Sequence, residues 1–126
     1  MIRALVVLSA LAGVLAAPVQ AAPRPATIGT AATVDFRVVL TARRISAGDA
    51  PTAAVTATIY RLGRDSWERT GSRRVPGTYF WNVVSGRNAV CELSIATAGA
   101  GRPHATVRLL VSPSIGCGRV YPIPLA

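Results

Sequence analysis

The sequence has no lysine and a single histidine, and these two shortages exclude several kinds of catalytic site. Without lysine there is no serine–lysine dyad and no phosphate-binding Walker lysine. A hydrolytic triad would have to include His104, and no serine lies in a Gly-x-Ser-x-Gly elbow. We therefore expect a protein that is not an enzyme and that carries no cofactor.

Acidic residues are also scarce, with five against 14 arginines and a formal net charge of +9. They are scattered along the chain at Asp35, Asp49, Asp65, Glu68 and Glu92. Carboxylates among so many arginines are more often surface ion-pair partners than an acid–base pair. The charge favours contact with anionic surfaces such as cell-wall polymers, phospholipid head groups or nucleic acid, without specific recognition of nucleic acid.

The first residues have the pattern of an export signal. A positive start at Arg3 is followed by an apolar run over residues 4–17 and by a small-residue cleavage pattern that ends at Ala21. The run is shorter than the roughly 20 apolar residues of a transmembrane helix. We expect residues 1–21 to be a secretory signal peptide and the product to be secreted without a transmembrane anchor.

The rest of the chain has the size of one compact domain. Residues 22–32 are rich in alanine, proline and threonine and predict a flexible lead-in, which leaves residues 33–126 as a single β-domain. Cys91 and Cys117 are the only cysteines. With His104 they match no zinc-site spacing, so we expect no metal site, and in an oxidising compartment we expect them to form a disulfide.

Strand patterns recur along this domain, with turn residues between them and no helical periodicity. Residues 33–42 alternate, with Val34, Phe36, Val38 and Leu40 predicted to face inward. Further strands are predicted over residues 53–62, 67–70 and 78–84, and Trp81 is the expected core tryptophan. The pattern predicts a small Ig-like β-sandwich of about six or seven strands with one disulfide, and the alternative is a small β-barrel.

The region around the two cysteines predicts a hairpin. One run places Cys91, Leu93 and Ile95 on one side, and a second run alternates from Ala105 to Val111. After Cys117, residues 119–121 predict a short edge strand that is limited by Pro122 and Pro124.

Arginines lie among the aromatic residues Tyr60, Trp67, Tyr79 and Trp81 in the middle of the chain. Guanidinium groups bind carboxylate or phosphate, and aromatic rings stack on sugars or on arginine. This combination predicts a surface that binds an anionic glycan or a similar partner. The candidate binding residues are Arg61, Arg64, Trp67, Arg69, Arg73, Arg74 and Tyr79.

Residues 72–77 suggest a second function, because they read as a dibasic loop stiffened by Pro76. A rigid exposed loop with an arginine is what a protease inhibitor offers to a trypsin-like enzyme. The leading hypothesis is a secreted, non-enzymatic β-domain that binds an anionic cell-envelope polymer or an extracellular protein. The alternative is a secreted protease inhibitor that acts through Arg73 or Arg74.

Overall fold

The computed structural model describes residues 24–97 and 101–126, where the chain forms nine strands and one helical turn. The predicted signal peptide lies outside the described residues. The strands form two antiparallel sheets, a five-stranded sheet 1 and a four-stranded sheet 2. The predicted all-β fold is confirmed as a small β-sandwich with one disulfide, whereas the Ig-like layout stays a prediction.

Sheet 1 is a meander in which consecutive strands are neighbours. It consists of β1 (Ala26–Ala32), β2 (Phe36–Arg44), β3 (Thr52–Leu62), β4 (Trp67–Arg74) and β5 (Tyr79–Phe80). The strand order is β1-β2-β3-β4, and the short β5 pairs with β3 beyond the end of β4. The turn after Leu62 is closed by a hydrogen bond from the Gly63 N–H to the Ser66 carbonyl, which confirms the predicted β3–β4 hairpin.

Sheet 2 is built around one central strand. Its members are β6 (Val90–Ala96), β7 (His104–Ser112), β8 (Gly116–Cys117) and β9 (Tyr121–Pro124). The strand β7 pairs with β6 along one edge and with β8 and β9 along the other. The predicted β6–β7 hairpin is therefore confirmed. A single helical turn, α1 (Trp81–Val84), connects sheet 1 to sheet 2.

The core lies between the sheets, because alternate residues of their long strands are apolar and face the same side. In β3 this alternation identifies Ala53, Val55, Ala57 and Ile59 as the buried face. The core residues are Phe36, Val38, Leu40, Ala42, Ala53, Val55, Ala57, Ile59, Val75, Tyr79, Val84, Ala89, Ala105, Val107, Leu109, Ile123 and Leu125. The predicted inward position of Val34 is wrong, since Val34 is 81% exposed in the turn that the Thr33 N–H closes on the Phe36 carbonyl.

The structure also differs from the expected lead-in, because residues 26–32 form β1 and pair with β2. Their alanines, threonines and glycine give little apolar signal along the sequence. Ile28 nevertheless packs against the core, and Thr30 lies in register with Val39. The backbone hydrogen bonds to β2, which single-sequence alternation does not reveal, make this segment a strand.

The strand predicted over residues 78–84 is wrong beyond Phe80, where the chain enters α1. The Trp81 N–H donates to the Pro51 carbonyl at 2.8 Å. The Trp81 carbonyl accepts the Ser85 N–H at 2.9 Å and the Ser85 hydroxyl at 2.6 Å. These bonds close a helical turn, and Trp81 is half-buried against the core.

The edge strand after the second cysteine lies further along the chain than predicted. It runs through both prolines as β9, with Pro122 in register with Thr106 and Pro124 with His104. Proline is tolerated there because an edge strand does not need every N–H for its ladder. His104 begins β7 and is half-buried.

The predicted disulfide between Cys91 and Cys117 is present and connects β6 to β8 across β7, with the two Cα atoms 6.3 Å apart. A bulge at Cys91 separates the pairs Val90–Leu109 and Glu92–Arg108. The bulge reverses the alternation, so Val90 packs against the core and Cys91 is exposed. The prediction that Cys91 lies on the same side as Leu93 and Ile95 is therefore wrong, because Leu93 and Ile95 pack against the core and Cys91 does not.

One side of the sandwich is closed by close contact between β1 and β6. A Cβ atom on Gly29 would lie 3.1 Å from Val90 Cγ2 and 3.3 Å from Leu93 Cδ2. The opposite side, between β4 and the end of β9, is an open cleft. The sandwich therefore has a closely packed side at β1 and β6 and a side that opens into a cleft at β4 and β9.

Candidate functional site

The solvent-facing side of sheet 1, called here the outer face, carries a row of basic and aromatic side chains. Tyr60 on β3 lies in register with Arg37 on β2 and with Arg69 on β4. Adjacent strands are about 4.8 Å apart, so the two arginines flank Tyr60 with their Cα atoms about 10 Å apart. Both arginines are exposed and Tyr60 is half-buried. We call these three residues the Arg–Tyr–Arg row.

Other residues extend the basic surface. Arg74 lies in register with Thr56, and Arg43 with Ala54. The Arg69 Nη2 atom donates to Ser72 Oγ at 3.2 Å, which directs this guanidinium along the face. The side chains between the arginines are mostly small and uncharged: Val39, Thr41, Thr56, Thr58 and Ser72.

None of the described strand residues on the outer face is acidic. Glu68 is the one acid in β4, and it lies in register with Arg61 on the other side of the sheet. Asp35, Asp49 and Asp65 are in the connections between strands, and Glu92 is on β6. The positive charge of the strand residues on the outer face is therefore not balanced by a carboxylate in the same rows.

The structure divides the predicted binding residues among several places. Trp67, Arg69 and Arg74 lie on the outer face, with the half-buried Trp67 in register with Leu62. Arg64 is exposed in the β3–β4 turn at the end of the same face.

Arg61 and Arg73 lie on the opposite side of sheet 1 from the Arg–Tyr–Arg row. Arg61 pairs with the buried Phe36 and places its guanidinium carbon 6.0 Å from the centre of that ring. Arg73 lies in register with the buried Ala57. Both arginines line the open cleft.

Tyr79 is not a surface binding residue, because it is buried with 4% of its area exposed. Its hydroxyl donates to the Pro76 carbonyl at 2.6 Å. Burial, together with the charge that Tyr121 would carry when ionised, raises the pKa of Tyr79 to about 12. The residue stabilises the loop before β5 and does not contribute to the basic surface.

The dibasic loop was predicted over residues 72–77, but β4 continues to Arg74 and the loop begins after it. The two arginines on which the inhibitor hypothesis depends therefore do not lie in the loop. Arg73 and Arg74 pair with Ala57 and Thr56 inside β4. Val75 follows with a buried side chain and an N–H that donates to the Val55 carbonyl at 2.8 Å. Both arginines are therefore held in a sheet and not in a projecting loop.

Sequence reasoning missed Arg37 and Arg43 as parts of the basic surface, and it left Tyr60 out of the binding residues. Alternation in β2 already placed Arg37 on the side opposite Phe36 and Val38. What was missing was the register of β2 against β3, which brings Arg37 beside Tyr60. Alternation in β2 and β3 indicates the faces of Arg37 and Tyr60, whereas their neighbouring positions follow from the register alone.

The open cleft has a volume of about 430 Å³. Its walls come from the end of β3, from β4 and from the last residues of the chain. The residues that line it are Ile59, Arg61, Thr70, Gly71, Ser72, Arg73, Pro124, Leu125 and Ala126. The cleft thus combines two cationic side chains with apolar and small ones.

Within residues 24–97 and 101–126, no group of three or more His, Cys, Asp or Glu residues is arranged to hold a metal ion. The same residues contain no helix that is long and apolar enough to cross a membrane.

The inference of a function rests on the fold and on two surfaces, the outer face and the open cleft. No protein-family model, no curated protein and no solved structure matches this chain.

Proposed function

We propose that this protein is a secreted, non-enzymatic β-domain that binds an anionic polymer of the cell envelope or extracellular space through the outer face of sheet 1. The Arg–Tyr–Arg row is the observation that carries the proposal, since two exposed arginines lie in register on either side of one tyrosine. Guanidinium groups bind carboxylate or phosphate with two hydrogen bonds, and the ring stacks on a sugar. An acidic glycan offers both chemical features along one chain.

The spread of the basic residues along the outer face supports a polymer as the ligand. The basic residues come from β2 and β4, on either side of β3, and are spread over several register rows, from Arg37 and Arg69 at one end to Arg43 and Arg74 at the other. Rows two residues apart along a strand are separated by about 7 Å. A chain of acidic sugars can contact several of these rows, whereas a small anion would contact one.

Co-sedimentation with envelope material from the producing cell tests the proposal. Replacing Arg37 and Arg69 by Gln should lower the affinity by at least about tenfold, because two charge-assisted contacts are lost. Replacing Arg87 and Arg119 by Gln is the matched control, since it removes the same charge from an exposed turn and an exposed loop outside β2, β3 and β4. Equal losses in both double variants would reject the outer face as the site.

Export of the chain is part of the same proposal. The signal pattern in residues 1–21 supports it, and a disulfide between Cys91 and Cys117 is typical of an oxidising compartment. We expect protein recovered from the medium to begin at Ala22 and to have two hydrogens fewer than its reduced form, as measured by intact-protein mass spectrometry. Protease inhibition through Arg73 or Arg74 lacks a comparable supporting feature, because both residues are paired within β4.

A further inference from the structure

The cleft on the open side of the sandwich is flanked by two strands that each have one unpaired edge within the described residues. The strand β4 pairs only with β3, and β9 pairs only with β7. An unpaired edge presents N–H and C=O groups that can accept another extended chain. The cleft therefore adjoins two possible acceptors for an added strand.

Only β4 is suited to accept such a chain. Pro122 and Pro124 in β9 have no N–H to donate, so a regular ladder cannot form along that strand. No proline interrupts β4, and its bulge at Thr70 is followed by Gly71. A Cβ atom at Gly71 would meet nothing within 4 Å, so the backbone there is open to close approach.

The positive charge of the cleft favours an acidic segment as the added strand. Arg61 and Arg73 line it, and Arg69 and Arg74 lie on the other side of β4. A second copy of this protein, with a formal net charge of +9, would bring like charges together. Glutamate or aspartate side chains would instead pair with the two cleft arginines, while Ile59 and Leu125 supply apolar contacts.

We propose that β4 is the docking edge for an extended acidic segment of a partner protein, which adds to sheet 1 as a further strand. Alternate side chains of the added strand point into the cleft, where carboxylates meet Arg61 and Arg73. This site is separate from the outer face, and it does not depend on polymer binding.

The probe is a capped nonapeptide of alternating glutamate and threonine, titrated into the isotope-labelled, disulfide-bonded protein. Amide shifts and hydrogen-exchange protection are read by NMR. We expect the changes to cluster in β4 and around Arg61 and Leu125. A peptide with glutamine in place of glutamate should bind at least about tenfold more weakly, because its contacts to arginine are no longer charge-assisted.

Two N-methylated peptides distinguish strand addition from simple charge attraction. One carries methyl groups on every glutamate nitrogen and the other on every threonine nitrogen. An added strand directs the N–H groups of one alternate set towards β4, so one methylated peptide should lose binding while the other keeps it. Equal binding by both would overturn the proposal, because both carry the same negative charge.

Variants of the protein identify the site independently of the peptide chemistry. Replacing Arg61 and Arg73 by Gln should lower peptide affinity by at least about tenfold, whereas the Arg87 and Arg119 double variant should not.

Gly71→Val adds a branched side chain in the open cleft without changing charge, and it should also weaken peptide binding. If both cleft variants fold, as judged by circular dichroism, and still bind normally, the proposal is wrong. Replacing Arg37 and Arg43 by Gln changes two outer-face residues of β2, outside the docking strand, and should keep peptide binding, so that failure of this proposal and failure of polymer binding are distinguishable.

Discussion

At the scale of single residues, Tyr79 shows how a loop is held by one buried polar contact. Its hydroxyl donates to the Pro76 carbonyl at 2.6 Å, and Gly77 adopts a φ of 116° beside it. A Cβ atom at Gly77 would lie 3.1 Å from the Tyr79 hydroxyl oxygen. Glycine is thus needed there for its backbone conformation and for the space it leaves to the ring.

The raised pKa of Tyr79 predicts a loss of stability at high pH. The folded-state pKa of about 12 exceeds the ordinary value of 10.0, so the folded state binds the phenol proton more tightly. The associated stabilisation is complete below about pH 10 and is lost as the pH rises towards 12. Thermal unfolding from about pH 9 to about pH 12 should show Tm falling more in the wild type than in Tyr79→Phe.

At neutral pH the same variant should be less stable than the wild type by about 0.5–1.5 kcal/mol, because the hydrogen bond to the Pro76 carbonyl is lost. An identical pH dependence in the two proteins would show that Tyr79 is not the titrating group.

The same substitution, glycine to alanine, should affect the free energy of unfolding differently at Gly29 and at Gly71. A Cβ atom at Gly29 would crowd Val90 and Leu93 where β1 meets β6, so Gly29→Ala should destabilise by about 1–3 kcal/mol. Gly71→Ala adds a methyl group in open space and should leave stability unchanged or raise it by up to about 1 kcal/mol. Urea unfolding measures both, and equal effects would contradict the close approach of the two sheets.

At the scale of strands, the sequence best predicted the strands in which apolar and polar residues alternate and the apolar ones are buried. The buried residues of β2, β3 and β7 repeat every second position, and the turns between strands contain glycine, proline or serine. The strand β1 and the turn α1 were missed because backbone hydrogen bonds to distant segments decide their conformation. The bulge at Cys91 also depends on pairing with β7, so alternation alone assigned the wrong side to Cys91.

The disulfide predicts a large effect on the stability of sheet 2. It closes a separation of 26 residues between β6 and β8, for which the chain-entropy model gives about 3.5 kcal/mol. Replacing Cys91 and Cys117 together by Ala should therefore lower Tm by roughly 10 °C or more in a domain of this size. Differential scanning calorimetry measures the shift. A loss of only one or two degrees would show that the unfolded chain gains little freedom when the bridge is absent.

At the scale of the whole molecule, the two proposed sites lie on opposite sides of sheet 1. The sequence predicted a binding surface of arginine and aromatic residues, and it treated Arg61 to Arg74 as one surface. The structure separates them because neighbours along a strand face opposite sides and because the Thr70 bulge shifts the alternation in β4. Arg73 thereby reaches the cleft and Arg74 the outer face, a division that requires the register of β3 and β4.

If the outer face binds a polymer as proposed, aromatic stacking should contribute an affinity that resists salt, and charge attraction should contribute an affinity that salt weakens. At about 0.15 M salt the Debye length is roughly 8 Å, and at 1 M it is roughly 3 Å, so attraction from arginines without direct contacts is screened. Stacking of Tyr60 or Trp67 on a sugar acts at short range and persists at high salt.

In envelope co-sedimentation we expect Tyr60→Ala and Trp67→Ala to weaken binding by similar factors at both salt concentrations. The loss caused by replacing Arg37 and Arg69 should shrink as salt rises, because salt also weakens charge-assisted contacts that are exposed to solvent. If neither aromatic variant changes binding and the wild type loses all affinity in 1 M salt, the outer face attracts anions by diffuse charge alone and the proposed recognition of a glycan is wrong.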